Sequence, residues 1–299
     1  MDSTTPVAAV TGVSGAQGAA IARAFLAAGW RVRALTRDAA RGVALAAPGI
    51  APVAVPEGDT AALDAALAGA AALVVTAPID YRRTVREAWF ASLLLAAGRA
   101  GVGRVVLNLA SRPLPGLRKP VSESLRALEA MALAGPVPAA VLRPTVYMDN
   151  LLQPWAIGGA REQGVFAYPM APDIRIGWIS HRSLGEAAVQ AATRAEAAGR
   201  GFDIAGPEAL TGPEVAALLG KALGKPVGYA PLDLALLAEG LNASFGAPAG
   251  DDIAALYRHL DQAPDALAHG ADNAALGIEA ETFVEWFARH DLRSAAGAA

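Results

Sequence analysis

Residues 11–20, TGVSGAQGAA, follow the apolar run 7–10 and lead into an alanine-rich stretch, so Gly12, Gly15 and Gly18 fall between a strand pattern and a helix pattern. No other stretch constrains the fold as much. A strand that turns straight into a helix leaves that helix's first N–H groups without internal partners and aims the positive end of its dipole above the sheet. Gly12 allows the tight turn, Gly15 lets a phosphate approach the backbone, and Gly18 lets the helix lie close on the strand. The spacing is G-x-x-G-x-x-G rather than the G-x-G-x-x-G of many dehydrogenases. In a chain with 31 glycines the triplet draws its meaning from the order strand, loop, helix.

The rest of the chain repeats that order. Short apolar runs (PVAAVT, WRVRALT, IAPVAV, AALVVTA, GRVVLNLA and PAAVLRP) alternate with helical patterns at about 16–28, 60–68, 84–99 and 121–134. This alternation predicts βαβ units, and strands that are apolar throughout predict a parallel sheet covered on both faces. The expected fold is α/β, a doubly wound parallel sheet of the Rossmann type with a smaller C-terminal lobe. Residues 1–150 would form the dinucleotide-binding domain, with returning segments at about 173–206. Residues 151–172 and 207–299 would form the lobe.

Composition excludes several function classes. Lys and Arg are scattered and the formal net charge is -3, which speaks against nucleic acid as a partner. Cysteine is absent, removing disulfides and thiolate chemistry, and His181, His259, His269 and His290 lack metal-ligand spacing. With neither a leader pattern nor an apolar run of the ~18 residues a span needs, a cytoplasmic, membrane-free location is expected.

The end of the second strand reads RALTRDAAR. An acid there would accept from a free ribose 2′-hydroxyl, whereas an Arg pairs with a 2′-phosphate. Arg37, with Arg41 one helical turn later, favours NADP(H) over NAD(H). Asp38 keeps the other register open. Asp59 would either reach an adenine edge or cap the helix that follows.

Beyond these spacings, the sequence resembles the NmrA-like family of atypical short-chain dehydrogenase/reductases. The resemblance is carried by VTGVSGAQGAAIARAFLAAGW, LTRD, VVTAP, VLRPTVYMDNLL, ISHRSLGEAAVQAAT and GFDIAGPEALTGPEVAALLGKALGKPVGY, which together cover nearly the whole chain. It implies a dinucleotide site at the carboxyl ends of the strands. Gly12, Ser14, Gly15, Gln17 and Gly18 would line the pyrophosphate and Arg37 the 2′-phosphate. Thr76, Ala77 and Pro78 would lie along the ribose, with Asn108 and residues 144–147 near the nicotinamide.

The catalytic half departs from the wider superfamily. There a Tyr, with a Lys four residues later lowering its pKa, delivers a proton to a carbonyl. Here SRPLPGLRKPVSESLRALEAMALAG contains no tyrosine, and Val121 and Leu125 stand about where the pair would be. Candidates for the acid are Ser111, just past the fifth strand, where Ala110 fits the superfamily's serine position equally well; Tyr147, after the sixth; and Tyr81. Tyr147 reads more readily as a packed aromatic whose hydroxyl finds a partner. Trp155, Trp178, Trp286, Phe166, Tyr168 and Met170 would line an apolar pocket or fill the core of the lobe, and residues 153–173 read as a flap.

The expected function is an NADP(H)-dependent oxidoreductase passing hydride to a small apolar or aromatic acceptor such as a quinone, enone, imine or carbonyl, with a homodimer left open. The alternative is a non-catalytic NADP(H)-binding redox sensor acting on a protein partner. The missing pair favours the sensor, and the aromatic-rich C-terminal half favours the enzyme.

Overall fold

A computed structural model describes residues 5–38, 46–78 and 82–293; Arg41 and Tyr81 lie outside them. The chain first runs β1 (Val7–Thr11), α1 (Ala16–Ala27), β2 (Arg31–Thr36), β3 (Ile50–Ala54), α2 (Thr60–Leu67), β4 (Ala72–Thr76), α3 (Arg83–Arg99), β5 (Arg104–Asn108), α4 (Pro120–Leu133) and β6 (Ala139–Pro144). A 3-10 turn, Met148–Leu152, leads to α5 (Pro154–Glu162), β7 (Val165–Tyr168), β8 (Ile176–Gly177), α6 (His181–Thr193) and β9 (Arg200–Ile204). Then follow β10 (Ala209–Leu210), α7 (Gly212–Leu223), β11 (Gly228–Pro231), α8 (Leu234–Phe245), α9 (Ala249–Leu260), α10 (Asn273–Leu276) and α11 (Phe283–Arg289).

Seven of the described strands form one parallel sheet in the order β3-β2-β1-β4-β5-β6-β9. The pleat sends alternate residues to opposite faces. Ala9, Leu73, Val75, Val105 and Leu107 join Leu67 of α2, Phe90 of α3 and Leu128 of α4 on one side. Ala8, Val10, Val74 and Val106 join Ile21 and Phe25 of α1 and Leu184 and Ala188 of α6 on the other. Both faces are covered along the central strands β1, β4, β5 and β6, which is why these are nearly apolar throughout, whereas β2, β3 and β9 toward the edges are partly exposed. The sheet is doubly wound, as the alternation of patterns predicts.

α1 and α6 pack against each other through small side chains. A Cβ at Gly185 would stand 2.8 Å from Ala20 O and 2.9 Å from the Ala24 Cβ, so this contact admits no added methyl. Ala20, Ala24 and Gly185 are thus part of the reason the chain is so rich in small residues. Asp59 caps α2, its carboxylate accepting from Ala62 N at 2.8 Å.

The lobe has its own core, in which Trp178, Trp286, Phe166 and Tyr168 are fully buried and Met170 is nearly so. Of the six residues considered for a pocket, Trp155 alone is substantially open, at 49%. The apolar cost of leaving rings of this size in water exceeds anything an open pocket wall returns, so the lobe closes on them. Residues 153–173 form α5 and β7, packed on that core, rather than a free loop over the site. The returning part of the chain is α6 and β9; β8 pairs with β10 in a small separate sheet. Leu276 and Ile278, late in the chain, also pack on the α1/α6 face of the large sheet. Among the described residues, no helix is long and apolar enough to cross a membrane.

Gly185→Ala is expected to destabilise the fold by about 1–3 kcal/mol through overpacking. Gly158 in α5 has open space around its Cβ position, and Gly158→Ala is expected to be neutral or stabilising by up to about 1 kcal/mol. Urea unfolding of the two variants checks the contrast.

Candidate functional site

The glycine loop sits at the carboxyl end of β1, where the strand order reverses between β1 and β4. Ligands of open α/β sheets bind in the crevice above such a point. Gly12 has a φ of +69°, a left-handed conformation open to glycine at little cost, and the Gly15 N–H donates to Gly12 O at 2.9 Å to close the turn. A Cβ at Gly18 would overlap the Gly12 carbonyl, so this position must be glycine for α1 to start where it does. α1 has no side-chain cap on its first turn, and Ser14 and Gly15 are exposed above it. Beside them, Thr11 Oγ1 accepts from Thr76 N at 3.2 Å. The Thr76 hydroxyl is buried and has no partner among the described residues.

The next layer is built by hydrogen bonds of fixed direction. Ala110, just past β5, has a φ of +60° and donates its N–H to Asn108 Oδ1 at 2.9 Å. A backbone N–H donates only, so the Asn108 atom facing it is oxygen, and Asn108 must present nitrogen on its other side. That nitrogen donates to Gln17 Oε1 at 2.8 Å, and the Tyr147 hydroxyl donates to the same oxygen at 3.2 Å. Gln17 therefore spends its acceptor on the protein. Its two amide N–H bonds have no acceptor among the described residues.

Tyr147 is 5% exposed, and burial pushes its phenol well above the usual tyrosine range, an effect the bond with Asn108 opposes and the Asp149 charge reinforces. The hydroxyl keeps its proton and gives its hydrogen bond to Gln17 Oε1. Behind it the His181 ring packs at 4.6 Å between centroids, and Asp149 accepts from His181 N at 2.8 Å, with His181 Nδ1 3.4 Å from its other oxygen. Burial holds the imidazole pKa below its ordinary value; Asp149 opposes this and Arg23 adds to it.

The other sequence candidates are spread along the strand ends, with Arg37 three strands from Asn108. Ala77 is buried and donates its N–H to Asn108 O at 2.8 Å, with Pro78 next to it, half-buried. Ser111 is half-buried after Ala110, on the same connection as Asn108. Arg37 is exposed at the end of β2, where Asp38 N donates to Thr36 Oγ1 at 3.2 Å and sets the turn. Val121 and Leu125 lie on the first turns of α4.

Sequence reasoning passed over Asp149 with His181, and also Arg86 and Asp252. Arg86 is 3% exposed, and Asp252 is 3% exposed. Arg86 had a signal: positions 86, 90, 93, 94 and 97 form the buried stripe of α3, and an arginine on an apolar stripe needs a reason. Asp252 had none, since Asp251 and Asp252 together at a helix start look like ordinary dipole partners.

Strand order, glycine turn and uncapped helix start define a doubly wound domain of the dinucleotide-binding class. The NmrA-like family profile matches residues 4–287, and the chain belongs to that family. The NAD(P)H azoreductase of Xenophilus azovorans is 30% identical over 285 residues, 94% of this chain and 96% of that protein. The (4-alkanoyl-5-oxo-2,5-dihydrofuran-3-yl)methyl phosphate reductase of Streptomyces griseus is 29% identical over 287 residues, again 94% and 96%. Among solved structures, the NADPH-dependent quinone oxidoreductase of Escherichia coli complexed with NADPH superposes with a TM-score of 0.75 at 25% identity. The match covers 95% of this chain and 99% of that one.

Two stability measurements check this geometry. Tyr147→Phe removes one of two donors to Gln17 and is expected to cost about 0.5–1.5 kcal/mol, whereas Asn108→Leu strands the Ala110 N–H and the Gln17 carbonyl and is expected to cost more, about 2–4 kcal/mol. Because His181 is held neutral in the fold, the unfolded chain binds the extra proton first as pH falls. Stability contributed by His181 is therefore present above about pH 6.5 and declines below it by up to ~1.4 kcal/mol per pH unit, until the lowered native pKa is passed. His181→Gln is expected to flatten that part of the curve in urea titrations at several pH values.

Proposed function

We infer that this protein is an NADP(H)-dependent reductase that passes hydride to a small apolar or aromatic acceptor, a quinone, enone, imine or carbonyl, without the superfamily's Tyr/Lys pair. The observation that carries the reading is Gln17, whose amide N–H bonds are left over an open glycine turn by a hydrogen-bond chain that has no other evident purpose. The buried Thr76 hydroxyl, without a partner among the described residues, fits a polyhydroxylated ligand. The reductase names of the relatives support the class of reaction.

In this reading Gly12, Ser14, Gly15, Gln17 and Gly18 hold the pyrophosphate on the N-terminus of α1, and Arg37 pairs with the 2′-phosphate. Thr76, Ala77 and Pro78 run beside the ribose, and Asn108 stands at the nicotinamide end. When bound, the reduced nicotinamide supplies the hydride. The protein's part is to place the acceptor against it and to exclude water, which by itself accounts for large rate effects. Tyr147 pins Gln17 through its hydroxyl, and the same hydroxyl is the candidate proton donor of this reading. Ser111 remains beside the site as the nearest hydroxyl on that connection.

A second reading, a redox sensor, is favoured by Val121 and Leu125 standing where the acid pair would be. Such a protein must distinguish the oxidised and reduced cofactor, because a ligand of equal affinity for two states shifts nothing.

Calorimetric titration with NADPH, NADP⁺, NADH and NAD⁺ tests both. Phosphorylated forms are expected to bind at least about tenfold more tightly, ~1.4 kcal/mol, and Arg37→Asp is expected to abolish that margin while changing NADH affinity little. Equal losses for NADPH and NADH would move the ribose site elsewhere. NADPH oxidation with quinone and enone acceptors is expected. Its absence, together with a large affinity gap between NADPH and NADP⁺, would favour the sensor.

A further inference from the structure

The first turn of α4 is held at Val121 from two directions. From below, Arg86 reaches out of α3 with its guanidinium buried. Its Nε donates to Ser124 Oγ at 2.9 Å, one Nη to Pro78 O at 3.3 Å and the other to Val121 O at 3.4 Å. From the lobe, Asp252 of α9 accepts the Val121 N–H at 3.0 Å through a carboxylate that is 3% exposed. The same helix touches the preceding loop at its other end, where His259 Nε2 meets Pro115 O at 3.0 Å.

The placement gives the clamp its meaning. α4 starts at the carboxyl end of β5 and Pro78 lies just past the carboxyl end of β4, so Arg86 ties together the two connections that flank the crevice on the side of Asn108. Asp252 ties the same turn to the lobe. An acceptor placed between the strand ends and the lobe lies against this turn. A charged group on each side is a costly way to fix one helix start, because burying a carboxylate or a guanidinium carries a desolvation penalty of several kcal/mol.

We propose that Arg86 and Asp252 are positioning residues that set the first turn of α4 as the acceptor-facing wall of the site, coupling the lobe to the Pro78 connection. The inference rests on the reductase reading above. The pair does not touch the reacting atoms; it acts through Val121, Ser124 and Pro78. Because both brackets converge on one turn, losing either frees it, and losing the second adds little.

The test uses the full-length protein, NADPH and 1,4-naphthoquinone, with Asp252→Leu, Asp252→Asn, Arg86→Met, Arg86→Lys and the double variant Arg86→Met with Asp252→Leu. Asp252→Leu and Arg86→Met are each expected to lower kcat/KM for the quinone about tenfold or more while the Kd for NADPH stays within about twofold. The double variant should be no worse than the poorer single one. Asp252→Asn, which keeps an acceptor oxygen, should recover most of the loss, and amide exchange at Val121 should quicken in the Leu and Met variants.

Folded variants with unchanged kcat/KM would overturn the inference, as would multiplicative losses in the double variant or a fall in NADPH affinity that matches the fall in kcat/KM. A wild-type protein that fails to bind NADPH or to reduce the quinone overturns the reductase reading, and this inference with it. Wild-type turnover with indifferent variants overturns the inference alone.

Discussion

The N–H of Ala110 can only donate, and that fact sets the direction of the hydrogen bonds joining β5 to α1 and β6. It makes the facing atom of Asn108 an oxygen, so its other atom is a nitrogen, and Gln17 must answer with its carbonyl. Tyr147 then has one acceptor to use, and uses it. Ala110 itself is left-handed, at a cost of about 1–2 kcal/mol. One backbone donor thus fixes the polarity of side chains on three separate segments.

A second group of charges fixes how the lobe sits on the sheet. Arg112, in the loop after β5, donates to His269 O at 2.9 Å, and its Nε lies 3.5 Å from Asp203 on β9. Asp203 is shared with Arg143 Nε at 2.8 Å, and Arg143 reaches Glu129 at 3.2 Å. Burial lowers the Arg112 pKa and raises that of Glu129, which marks the group as one that water would have served better. Ion pairs of this kind add little net stability, but removing one partner is severe, so they act chiefly on registry. The lobe's apolar core supplies cohesion, and these charges supply orientation.

The parts of the molecule legible in the sequence are those where one residue type meets one physical demand. Continuous apolar strands read as buried on both faces, and the glycine loop read as a strand-to-helix turn because glycine takes the positive φ at Gly12 at little cost and alone fits the close approach at Gly18. Asp59 resolved to a cap because an exposed carboxylate before an alanine-rich helix finds free N–H groups first. The aromatic residues of the lobe were ambiguous, since the same Trp or Tyr fills a core or lines a cleft and only tertiary packing separates the two. Asp252 was silent because its partner, the Val121 N–H, lies far away along the chain. The lock on Gln17 was equally hidden, for an amide's orientation depends on neighbours from two other strands.

The order of strands also separates two kinds of change. The end of β2, with Arg37, and the connection after β5, with Ala110 and Ser111, stand three strands apart, about 14 Å across the sheet. Side chains at one end do not reach those at the other. Substitutions near Arg37 can therefore be made without disturbing the side chains that meet at Asn108. The two ends of the crevice are thus mechanically independent, each set by its own neighbours.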